Sequence, residues 1–129
     1  MMIPKITNSQ AWKQTQMLMQ PTYIRVVDNL RKALEESAWR ESYQEVQTPI
    51  PGYELCLSSQ DQEIKINLWE LCFEVCFQDY ERGSVPIDSE LNVEVDTSLL
   101  DPETGEVNWE RLDTKARQRV EILFANLKS

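Results

Sequence analysis

The sequence contains no histidine. That excludes Ser-His-Asp and Cys-His nucleophile systems, His-bearing zinc sites, and the commonest general base near neutral pH. Glycine is nearly as scarce. Gly52, Gly83 and Gly105 are the three present, and they form neither a P-loop nor a GxGxxG turn, so no phosphate-cradling loop is expected. No apolar run approaches the ~20 residues of a membrane span. The opening "MMIPKITNSQ" lacks the apolar stretch of an export signal, so a cytoplasmic protein is expected.

Cysteine is limited to Cys56, Cys72 and Cys76 at unpatterned spacings, which fits a reducing compartment. On a helix Cys72 and Cys76 would share a face, and two thiolates there could hold a soft metal. Zinc and iron–sulfur centres generally want four ligands, so such a site would need a carboxylate or a second chain. The competing reading is that both behave as small buried hydrophobes. No cofactor motif is present, and no catalytic constellation forms around the many carboxylates. An EF-hand counted from Asp101 fails, since Gly105 falls at position 5 and Leu112 at position 12.

What the chain does have is acid. Its net charge of −9 is unevenly spread: residues 51–110 carry fifteen Asp/Glu against two Lys/Arg, or −13. Residues 1–50 sum to +1 and residues 111–129 to +3. A segment at −13 would repel a phosphate backbone or an anionic membrane, which argues against both as partners. A basic protein surface is its natural complement, although acidity can also serve solubility alone. Glu90, Glu94, Asp101 and Glu103 are the candidate contact residues. Reversing their charge should slow association and leave folding nearly unchanged.

At 129 residues one domain is expected, of the α+β class. Asn8 or Ser9 caps an N-terminal helical arm over 9–39, kinked or broken at Pro21. Strands follow near 43–48, 53–58 and 63–67, the last two forming a hairpin with three to five loop residues. Residues 67–80, "NLWELCFEVCFQDY", support two patterns. Trp69, Leu71, Phe73, Val75 and Phe77 alternate as in a strand, whereas Leu68, Leu71, Cys72, Val75 and Cys76 recur as on a helix. Asn67 as N-cap, Glu70 three residues later and Gly83 near the end favour a helix over 68–80. Leu91, Val93 and Val95 predict a further strand over 91–96 in a small, mainly antiparallel sheet. Asn108 opens a C-terminal helix over 108–127, with Trp109, Leu112, Ala116, Val120 and Leu123 on one stripe. Trp12, Trp39, Trp69 and Trp109 are expected mostly in the core; any left exposed would be interface anchors.

Several stretches, "IPKITNSQAW", "LMQPTYIRVVDNLRKALEES", "EVQTPIPGYELCL" and "LWELCFEVCF", resemble a family of small uncharacterised cyanobacterial proteins across most of the chain. That family has no assigned activity or site. The resemblance implies a cytoplasmic setting in a photosynthetic bacterium and nothing about mechanism. Two expectations follow from the residues. The first is a non-enzymatic interaction module with an acidic face, whether adaptor, assembly or regulatory factor, with self-association left open. The alternative is a small-molecule or metal-binding domain built on the Cys72/Cys76 face.

Overall fold

The computed structural model describes residues 3–6, 8–47, 51–78, 80 and 90–127, with backbone alone for 3–5 and 90–92. Asn8 starts the first helix as expected, its Oδ1 accepting from the Ala11 N–H at 2.7 Å. That helix, α1 (Ser9–Glu35), is continuous for 27 residues with Pro21 inside it. Proline removes one N–H and leaves the Met17 carbonyl without its usual partner. Met17 lies on the exposed side of the helix, at 41% exposure, where water can take that carbonyl. Thr15, Leu18, Thr22, Val26, Leu30 and Leu34 are buried at spacings of three and four. This burial along one stripe holds the helix together through the proline. The chain leaves α1 before Trp39, which is 8% exposed and packs into the core as a loop residue.

Three strands follow, β2 (Arg40–Val46), β3 (Gly52–Ser59) and β4 (Gln62–Asn67), in antiparallel order β2-β3-β4; a first short strand, β1 (Ile3–Lys5), precedes α1. Strand β2 begins three residues earlier than expected and is exposed along nearly its whole length. The β3–β4 hairpin is tighter than the sequence implies. Ser59 pairs with Gln62, so the loop is Gln60–Asp61 alone, and Gln60 takes φ 53° to close it. Two-residue hairpins need such positive φ to match the strand twist, which Gln tolerates less well than Gly or Asn.

The helix reading of the ambiguous stretch holds, over α2 (Leu68–Cys76). Asn67 Oδ1 accepts from the N–H groups of Trp69 and Glu70. The helix stops four residues short of Tyr80, for a tertiary reason. Phe77 is extended and bridges Val95; Gln78 N–H donates to the Glu94 carbonyl and Asp96 N–H to that of Cys76. Residues 94–96 thus pair with the end of α2 and do not extend the three-stranded sheet. The expected strand over 91–96 shortens to β5 (Glu90–Asn92), which pairs in parallel with β1 as a separate two-stranded sheet. Nothing local announced that pairing, because its two strands lie some 87 residues apart.

A single 3-10 turn (Thr97–Leu99) and the turn at 101–106 lead into α3 (Trp109–Asn126), capped by Asn108. Leu112, Ala116, Val120 and Leu123 bury the predicted stripe against α1 and α2. One buried cluster joins α1, α2 and α3 to Leu55, Leu57 and Ile66 of the sheet. Among the described residues, no helix is long and apolar enough to cross a membrane.

Candidate functional site: an acidic loop and an aromatic groove

The two cysteines of α2 are core. Cys72 and Cys76 are both 0% exposed. The Cys76 thiol donates to Thr22 Oγ1 at 3.4 Å. Burial pushes the Cys76 thiol up to about 11 despite that hydrogen bond, and burial with Cys76 as neighbour pushes Cys72 higher still. Neither is a thiolate at neutral pH, the form that binds metals or attacks electrophiles. Among the described residues no group of three or more Cys, Asp or Glu is placed to hold a metal ion. Cys56 is half-buried on β3, its thiol 3.9 Å from Gln44 Oε1.

The expected acidic residues divide by role. Glu90 contributes backbone to β5, and its side chain lies outside the described residues. Glu94 and Glu103 are exposed. Asp101 is exposed too, but its carboxylate organises the turn by accepting from the N–H groups of Glu103 and Thr104 at 2.8 and 3.2 Å. The expectation that reversing all four leaves folding nearly unchanged therefore needs correcting at Asp101, whose reversal would remove a turn cap. Asp96, which the charge count did not single out, is structural. One of its oxygens accepts from Ser98 N–H and Oγ–H, and the other takes Lys115 Nζ at 2.6 Å. Burial raises its carboxyl, but the hydrogen bonds from Lys115 and Ser98 outweigh that and hold it below the ordinary 3.8.

This acidic stretch runs directly into Trp109, the first residue of α3, which is 52% exposed. The ring does not hang free. The Arg25 guanidinium from α1 lies over it, 5.0 Å from the centroid. Arg25 in turn is paired with Asp113 and donates to the Pro21 carbonyl at 3.1 Å. A large ring is thus held in place while half of it faces solvent, the property of a preorganised contact residue.

A second exposed tryptophan lies on the other flank of α1. Trp12, Gln16, Gln20 and Ile24 recur every four residues there, and Trp12 and Ile24 are 54% and 59% exposed. With Tyr53 and Trp69 they line an open groove of about 570 Å³. Its polar lining is limited to Thr15, Gln16, Gln20 and the tyrosine hydroxyls, and no charged side chain is among its walls. The floor is fixed by Trp69, whose indole N–H donates to the Pro51 carbonyl at 3.0 Å and whose ring meets Tyr23 at 5.4 Å. Gly52 makes this possible, because a Cβ there would lie 2.4 Å from Trp69 Nε1. Seven residues from α1, two from β3 and one from α2 meet only in the fold, so no local pattern announces the groove.

Set against family models, curated proteins and solved structures, the chain has no match. Its function has to be read from geometry and chemistry.

Proposed function

We propose that this chain is a non-enzymatic interaction module that engages a basic protein surface through its acidic loop and Trp109. The observation that carries this reading is a half-exposed tryptophan held rigid by Arg25 at the end of a loop rich in carboxylates. Complementary charge accelerates encounter, and an anchored aromatic ring slows departure. A lysine or arginine from the partner could sit on the exposed part of the ring as Arg25 does on its inner side. The reading is consistent with a sequence that offers no histidine and no phosphate loop, and with the burial of Cys72 and Cys76.

The test is affinity capture from native lysate at low and high salt, followed by binding kinetics with the captured partner. Association should weaken as salt rises past the ~10 Å screening length of 0.1 M. Glu94→Lys with Glu103→Lys should lower the on-rate, and Trp109→Ala should raise the off-rate about tenfold or more. A partner that binds equally well at 0.1 M and 1 M salt, and to Trp109→Ala, would refute it.

A further inference from the structure

The groove beside Trp12 has the opposite character to the acidic loop, and the difference points to a different occupant. On a chain of net −9, its walls carry no charged side chain. Two copies of so acidic a protein repel wherever their carboxylates meet, and can approach most closely where there are none. The exposed stripe on α1 is also symmetric about its own midpoint. Large apolar side chains, Trp12 and Ile24, stand at its ends, and two amides, Gln16 and Gln20, stand between them. The ends are some 18 Å apart along α1 at about 1.5 Å per residue and about 120° apart around it. The row is therefore an inclined i, i+4 ridge, which a second helix follows by crossing α1 at about 50°.

We infer that this face is where two copies of the chain pair, α1 against α1, antiparallel about a two-fold axis between Gln16 and Gln20. In that register Trp12 of one copy meets Ile24 of the other at both ends. Each Gln16 amide faces the other copy's Gln20 amide, and each supplies both a donor and an acceptor. A two-fold contact requires such a self-complementary patch. The groove is open to solvent along its mouth, which leaves room for a broad partner. The face is modest beside the ~800 Å² per subunit of a standard interface, so the dimer exchanges with monomer.

Sedimentation velocity over a wide concentration range, at several salt concentrations, tests this. The expected result is a monomer–dimer equilibrium that tightens as salt rises, because screening relieves repulsion between two −9 chains. That is the reverse of the salt response of a basic partner, so the two surfaces are told apart. Ile24→Glu should weaken pairing about 30-fold or more with unchanged circular dichroism. Gln16→Glu should also weaken it, and adding Gln20→Lys should restore it by setting opposite charges across the axis. A monomer at every concentration, or a dimer indifferent to Ile24→Glu, overturns the proposal. Failure of the double variant to recover overturns the antiparallel register and with it the assigned pairing.

Discussion

Helix α1 separates two surfaces that are built on opposite principles. Ile24 and Arg25 are consecutive, about 100° apart around the helix. Ile24 closes the charge-free groove on one side and borders the charged cleft of Arg25, Asp28 and Asp113 on the other, where Arg25 lies over Trp109 beside the acidic loop. Each surface ends in an exposed tryptophan. In the groove, order comes from close packing: Gly52 admits the Trp69 indole, and Tyr23 backs it. At the acidic end, order comes from hydrogen-bonded charge: Asp96 on Lys115, Asp101 on its own turn, Arg25 on Asp113. The groove should therefore respond to volume and the acidic loop to pH and salt.

The largest effect is expected where the groove meets the core. Glu74→Pro, in the interior of α2, should cost about 3 kcal/mol or more and release Cys72 and Cys76 to thiol reagents. In the native protein Cys56 alone of the three should label readily; rapid native labelling of Cys72 and Cys76 would contradict their burial. Next comes Asp96→Ala, which removes both the cap on Ser98 and the partner of Lys115, for about 3 kcal/mol in denaturant melts. Its pH signature follows from the lowered carboxyl. The folded protein holds Asp96 ionised more tightly than the unfolded chain does, so the contribution is full above pH 3.8. It drains away as pH falls through the folded value, and the gap between the native protein and the variant should close there. A gap that stays constant into acid would exclude an ionic role.

Smaller but sharper is Gly52→Ala. Its Cβ displaces the Trp69 indole from Pro51 and should cost about 2 kcal/mol, with a change in tryptophan fluorescence. The groove should be altered and the salt response of the acidic loop left as it was. The smallest test is internal to the loop. Asp101→Lys should cost about 1 kcal/mol because it uncaps the turn, whereas Glu103→Lys should stay within about 0.5 kcal/mol. Equal effects from the two would mean that Asp101 is only a surface charge.

What the sequence makes legible follows from range. The caps at Asn8, Asn67 and Asn108 and the repeat of the α3 stripe are local and are as expected, except that Trp109, placed on that stripe, is 52% exposed. Pro21 by itself leaves open one kinked helix or two, and the buried stripe that keeps α1 continuous is visible only across 27 residues. The end of α2 is set by residues 94–96, and β5 by Ile3–Lys5, so neither could be read from its own neighbourhood. The same holds for the site. Acidic bias is a compositional fact and needs no fold, whereas Trp12, Tyr53 and Trp69 come together only when three elements meet.

Strand β2 carries a consequence of a different kind. From Arg40 to Glu45 every residue is exposed, so this strand is held by its ladder to β3 with almost no buried surface behind it. Elements of that sort open at low free energy while the rest of the domain stays closed. Amide protons of β2 should exchange with deuterium well before those of Leu55 and Leu57 on the neighbouring strand. An edge that opens is also an edge that recruits, and Arg40, Glu41 and Glu45 place charge where a foreign strand would have to lie down. The polarity of β2 works as a guard against fibrillar growth, and replacing Glu41 and Glu45 by valine should shorten the lag before aggregation.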